Sequence, residues 1–129
     1  MENIKPKVLI VDDDKFLLNM YTLKFGKKSF EVNSATLGEE AINKIKNGYT
    51  PDIILLDIVM PGMDGFQLLD SLRKANLVPN AQVIMLTNQG QLADLEKAKS
   101  FGVNGYIIKA TTIPSEVVEE VERIYNLKK

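Results

Sequence analysis

The strongest constraint on the fold is a pair of four-residue runs, IILL (53–56) and VIML (83–86), that are apolar at every position. Side chains of a strand alternate between two faces, so a strand apolar throughout keeps both faces out of water. A half-exposed antiparallel sheet would instead alternate apolar and polar, and these runs therefore call for a parallel sheet covered by helices on both sides. The rest of the chain supplies the helices. Strand candidates at 7–11, 31–35, 52–57, 82–87 and 105–109 are separated or followed by stretches with helical apolar spacing at about 15–25, 37–47, 65–74, 91–101 and 114–126. Pro114 suits the first turn of the last helix, and Gly26, Gly48 and Gly102 each follow a helical stretch, where a left-handed stop favours glycine. Right-handed crossovers then arrange the elements as an α/β fold, an open, doubly wound parallel sheet of five strands flanked by five helices in three layers.

Composition narrows the chemistry. A chain of 129 residues, 45% hydrophobic, suits one domain over 1–129. With 16 basic and 17 acidic residues there is no basic stripe, so no direct nucleic-acid partner is expected. The absence of Cys and His removes disulfides, thiolate and imidazole metal sites, and a histidine base or phosphocarrier. The N-terminus lacks the apolar centre of a signal peptide, and no apolar run approaches the roughly 20 residues that cross a bilayer; a cytoplasmic protein without membrane insertion is expected. The last helix runs into YNLKK at the end of the chain, so no output domain is expected to follow.

In doubly wound sheets ligands bind beyond the carboxyl ends of the strands, where strand order reverses. Asp12 and Asp13 end the first strand, Asp57 the third, Thr87 the fourth and Lys109 the fifth, so five polar residues distant in sequence should meet on one edge. Asp14 directly precedes a helical stretch and reads as its N-cap. Several carboxylates at close range repel one another, and one would take up a proton unless a cation compensates. An all-oxygen set suits Mg2+ better than zinc or copper. Lys109 adds a fixed positive charge whose natural partner is an anion, and the Thr87 hydroxyl can donate to one. Together these groups describe phosphoryl transfer to a carboxylate.

Over nearly its whole length the chain resembles a response-regulator receiver domain, of the single-domain, chemotaxis-regulator-like kind, from two-component phosphorelay signalling. The residues carrying the resemblance are LIVDDD (9–14), ILLDIVMPGMDG (54–65), MLTN (85–88) and GYIIK (105–109). The resemblance implies a flavodoxin-like sandwich with strand order 2-1-3-4-5. It also implies that Asp57 is the phosphoacceptor, that Asp12, Asp13, Asp57 and the backbone carbonyl of Val59 hold Mg2+, with Mn2+ able to substitute, and that Thr87 and Lys109 grip the phosphoryl group. Thr87 and Tyr106 would form a switch that changes the surface of helix four, strand five and helix five. The implied partners are a sensor histidine kinase or phosphotransfer protein and a downstream protein target, with a monomer or a phosphorylation-dependent dimer. Such a domain is a regulatory phosphoacceptor that catalyses only its own phosphorylation and dephosphorylation. In the loop after the acceptor, Pro61 and Gly62 would shape a turn, Asp64 would cap the third helix and Gly65 would allow tight packing.

Four positions depart from the common pattern of the family. Val59 offers no polar group to an attacking water, Asn88 is larger than the usual residue after the threonine, Gln89 is no carboxylate, and Ala110 replaces the proline that usually follows the lysine. Without that proline a cis bond costs roughly 2.5–4 kcal/mol, so Lys109–Ala110 is expected trans. Two other readings stay open: an unphosphorylated receiver-like interaction module, and a flavodoxin-type small-molecule binding domain. The second lacks a Ser/Thr/Gly-rich phosphate loop after strand one. An aspartate-dependent phosphatase would need an Asp where Val59 stands.

Overall fold

A computed structural model describes residues 5–88 and 90–128. The chain forms β1 (Lys7–Val11), α1 (Lys15–Lys27), β2 (Glu31–Ala35), α2 (Gly38–Lys46), β3 (Ile53–Asp57), α3 (Gly65–Lys74), β4 (Gln82–Thr87), α4 (Leu92–Ser100), β5 (Gly105–Ile108), a 3-10 turn (Lys109–Thr111) and α5 (Pro114–Lys128). The strands form one parallel sheet in the order β2-β1-β3-β4-β5. Strand order reverses between β1 and β3, which places the crevice beyond the ends of these two strands.

The two-residue period of the strands divides the core. Leu9, Val11, Ile54, Leu56, Val83 and Met85 pack on the side of α2, α3 and α4 against residues such as Ile45, Leu69 and Ala98. Their neighbours Val8, Ile10, Ile53, Leu55, Ile84 and Leu86 face α1 and α5, where Tyr21, Phe25, Val117 and Val121 cover them. Both faces of IILL and VIML are thus dry, as the uninterrupted apolar pattern requires. On the outer layer Phe66 of α3 stacks on Phe101 at 5.5 Å between ring centroids, and the Lys97 ammonium lies 4.8 Å from the centre of the Phe66 ring.

Several boundaries differ from the sequence reading. α1 continues through Gly26 to Lys27, and the left-handed residue that ends this connection is Ser29, with φ 66°. Gly26 is therefore helical and not a stop; the helix end is closed further on, where the Ser29 amide donates to the Gly26 carbonyl and the Phe30 amide to the Phe25 carbonyl. Gly48 and Gly102 do take positive φ, 109° and 68°. Asp52 lies outside β3, and its carboxylate accepts the Lys7 amide at 2.8 Å. Lys109 lies beyond β5, in the 3-10 turn. No peptide bond among the described residues is cis, which makes Lys109–Ala110 trans. No helix among them is long and apolar enough to cross a membrane.

The loop after β3 is fixed by short-range contacts. Asp64 caps α3, accepting the Gln67 amide at 2.8 Å, while the Gln67 side chain accepts the Asp64 amide at 2.9 Å. This reciprocal box sets the helix entry and aims its first turn at the end of β3. The Gly65 amide donates to the Ile58 carbonyl at 2.8 Å, and a Cβ at Gly65 would run into the carbonyl oxygen of Asp57 and lie 3.1 Å from its carbonyl carbon. Since backbone cannot yield as a side-chain tip can, Gly65→Ala should destabilise the domain by about 1–3 kcal/mol in urea unfolding and Asp64→Ala by about 1 kcal/mol.

Candidate phosphoacceptor site

Asp12 and Asp13 follow β1, while Asp57 ends β3 beside it. The adjacency of β1 and β3 brings the three carboxylates together, with one oxygen of each within 4.8 Å of the others. Their environments differ. Asp12 is fully buried, Asp57 is 4% exposed, and Asp13 points to solvent. The Asp12 Oδ1 accepts the Asp14 amide at 2.9 Å, which orients its carboxylate, while Asp14 caps α1 by accepting the Leu17 amide at 3.1 Å. The run of three acids thus splits into three tasks.

Lys109 reaches the cluster from the turn after β5. Its Nζ lies 3.0 Å from Asp12 Oδ2 and 3.3 Å from Asp57 Oδ1, with the side chain only 6% exposed. The trans bond to Ala110 does not prevent this reach. Burial works to lower the Lys109 pKa, but the charges and hydrogen bonds of Asp12 and Asp57 outweigh it, and the net shift is upward. The ammonium is therefore a fixed charge at neutral pH.

One cation does not balance the site. Burial raises the Asp57 pKa most, the Asp12 charge raises it further, and Lys109 opposes both; the result is a carboxyl pushed up to about 7. A carboxyl half protonated at neutrality is a poor nucleophile, and a second cation would return it to the charged form. Three carboxylate oxygens with no nitrogen or sulfur donor fit a hard divalent ion that retains waters and can share a phosphate oxygen. The side of the cluster toward solvent is carried by exposed Asp13.

Thr87 ends β4 next to β3, where the Ile58 amide bonds the Leu86 carbonyl at 3.2 Å, and Thr87 is buried. Tyr106 follows on β5, its hydroxyl enclosed beside Thr87; burial raises its pKa, Asp94 adds to this, and the Thr87 hydroxyl opposes it. Val59, two residues past Asp57, is 72% exposed and lines a cleft of about 260 Å³ with Thr87, Asn88, Gln91 and Asp94. That mouth offers no carboxylate at the Val59 position. Gln89 lies outside the described residues.

With this geometry in place, the similarity to known proteins becomes decisive. The model of the response regulator receiver domain matches residues 8–122. The chain belongs to the response regulator receiver family. Among relatives, the chemotaxis protein CheY of Thermotoga maritima is 37% identical over 119 residues, covering 92% of this chain and 96% of CheY. The heme response regulator HssR of Staphylococcus epidermidis is 39% identical over 116 residues, 90% of this chain and 48% of HssR. The receiver spans about half the length of most of the curated relatives it matches first. Among solved structures, a CheY-like receiver domain protein from Methanospirillum hungatei superposes with a TM-score of 0.84 at 27% identity, covering 96% of both chains. A putative response regulator from Chloroflexus aurantiacus gives 0.83 at 32% identity, covering 95% of this chain and 99% of that one. Receiver domains are regulatory and bind Mg2+ through an acidic pocket; in this receiver the acidic pocket is the cluster of Asp12, Asp13 and Asp57.

The Asp57 shift has a consequence for stability. Between its ordinary value of 3.8 and about 7 the folded receiver holds a proton that the unfolded chain has released, so this group's contribution falls as pH rises through that window. Asp57→Asn removes the titration. In metal-free buffer the variant should match wild type near the acid end and exceed it above neutrality by about 2–4 kcal/mol, read by urea unfolding across pH. Mg2+ should narrow that gap by stabilising the wild type more at high pH than at low.

Proposed function

We propose that this receiver is the phosphoacceptor of a two-component system, taking a phosphoryl group from a sensor histidine kinase or phosphotransfer protein onto Asp57 in the cytoplasm. The observation that carries the proposal is the Lys109 ammonium held between Asp12 and Asp57 beside a third carboxylate. Fixed cations around an oxygen nucleophile are what transfer of a phosphoryl group demands, because the protein's task there is positioning and neutralisation of charge.

The ionised Asp57 oxygen attacks phosphorus in line, forming an acyl phosphate as the bond to the donor nitrogen breaks; the electron pair leaves with that nitrogen. Asp12, Asp13, Asp57 and the Val59 carbonyl would hold Mg2+, or Mn2+ in its place, which neutralises the acids and the equatorial phosphoryl oxygens. Lys109 keeps its contact with Asp12 and can give its Asp57-directed hydrogen to a phosphoryl oxygen. The Thr87 hydroxyl donates to another. Tyr106, beside Thr87, follows that movement, and the change passes to α4, β5 and α5, the surface through which a downstream protein, or a second copy in a phosphorylation-dependent dimer, would read the state.

Incubation with acetyl phosphate and Mg2+ should add one phosphoryl group by intact mass. Asp57→Asn should abolish the gain, a chelator should suppress it, and Lys109→Ala should slow it by about a hundredfold. Unchanged mass in folded wild type with several small phosphodonors would sink the proposal. In the absence of a phosphatase, Val59→Asn combined with Gln89→Glu should shorten the phosphoryl lifetime by supplying polar groups for an attacking water; equal decay rates would remove Val59 and Gln89 as the reason for persistence.

A further inference from the structure

The two edges of the sheet are finished differently. At β2 the bonds from the Glu31 amide to the Pro6 carbonyl and from the Asp12 amide to the Ala35 carbonyl turn the odd-numbered residues toward β1, so Val32 and Ser34 face outward. Both backbone groups of Ser34 are closed by side chains of the same chain. Its amide donates to Asn33 Oδ1 at 2.9 Å, and its carbonyl accepts Lys44 Nζ at 2.7 Å. At Ser34 this edge is blunted against another strand by a lysine and a local turn.

At β5 the Asn104 amide donates to the Val83 carbonyl at 2.7 Å, which turns Asn104, Tyr106 and Ile108 toward β4 and leaves the amides and carbonyls of Gly105 and Ile107 pointing away from the sheet. Among the described residues no side chain or loop closes on these four groups. A groove of about 560 Å³ runs beside this edge, bordered by Tyr106 and Ile108 and walled by Thr112 and by Glu116, Glu119 and Glu120 of α5; the Ile107 side chain is buried in the core, so only the backbone of that residue meets the edge. Arg123 also borders it, but Glu120 neutralises the guanidinium, accepting its Nε at 3.0 Å. Glu116 accepts the Ile113 amide at 3.2 Å. The groove is thus an open strand edge with an apolar border and an acidic wall.

We propose that this edge of β5 binds a partner protein's extended segment, which adds as a sixth strand and carries apolar side chains alternating with Lys or Arg. The backbone groups of Gly105 and Ile107 supply the ladder, Tyr106 and Ile108 the apolar contact, and the glutamates of α5 the choice of charge. The inference rests on the reading of α4, β5 and α5 as the output surface and specifies how it is read: by strand addition, with a basic partner.

The test uses the full chain, labelled with nitrogen-15, and a seven-residue peptide of alternating lysine and valine. Titration should shift the Gly105 and Ile107 amides and slow their hydrogen exchange, with an affinity in the high micromolar to millimolar range. The same peptide N-methylated at alternate amides should lose binding, a valine and glutamate peptide should not bind, and Glu119→Lys should weaken the first peptide about three- to tenfold. Absence of shifts at Gly105 and Ile107 would overturn the proposal, as would equal binding of the methylated or acidic peptide, or a footprint centred on β2. Shifts of the same amides on raising protein concentration without peptide would assign the edge to a second copy and overturn it as well. Intact mass after acetyl phosphate, taken on the same sample, separates the two readings: failure of the peptide in a receiver that still gains the phosphoryl group removes the groove alone, and retained peptide binding without phosphorylation removes the phosphoacceptor reading alone.

Discussion

The Lys109 ammonium, 3.0 Å from Asp12 and 3.3 Å from Asp57, makes it possible for this domain to carry carboxylates in its interior. Without it, two buried acids at the end of adjacent strands would oppose folding by several kcal/mol each. With it the site is stable but still short of one positive charge, and Asp57 remains near the point of half ionisation at neutrality. That deficit favours the uptake of a further cation. A fully compensated site would have no reason to take up a cation, and an uncompensated one would protonate its nucleophile.

The surrounding fold serves to hold this charge arrangement at one edge. β1 and β3 lie side by side because their apolar residues cover both faces of the sheet's centre, and this adjacency brings Asp57 to Asp12 and Asp13. α3 must begin close to the carbonyl of Asp57, which is why Gly65 stands at its first position and why the Asp64–Gln67 box fixes its direction. Both devices act on backbone, where displacement is costly, so Asp57 is placed by rigid parts while the cleft near Val59 and Asn88 stays open.

The elements themselves were legible in the sequence to within a residue or two, because strand and helix periods are local properties of burial. Gly26 misled, since a glycine after a helical stretch is a stop only where it takes the left-handed conformation, and here Ser29 takes it instead. At the site, the residue types and their positions after strands announced oxygen chemistry, and Asp14 and Asp64 were readable as caps from their place before helices. The pairing of Lys109 with Asp12 was not readable. Nothing in a sequence separation of 97 residues distinguishes a lysine held by two acids from one that waits for a phosphate.

The sequence by itself determined a parallel, doubly covered sheet, an acidic edge without nitrogen or sulfur ligands, and the resemblance that names the acceptor, because composition and periodicity are enough to fix what must be buried. Tertiary structure decided which acid is buried and which faces water, how far Asp57 is shifted from an ordinary carboxylate, and which sheet edge is closed. Those outcomes depend on distances between segments remote in sequence and on the loss of water around them. The electrostatic energy of a charge is set by that environment, and it exists only once the strands are side by side.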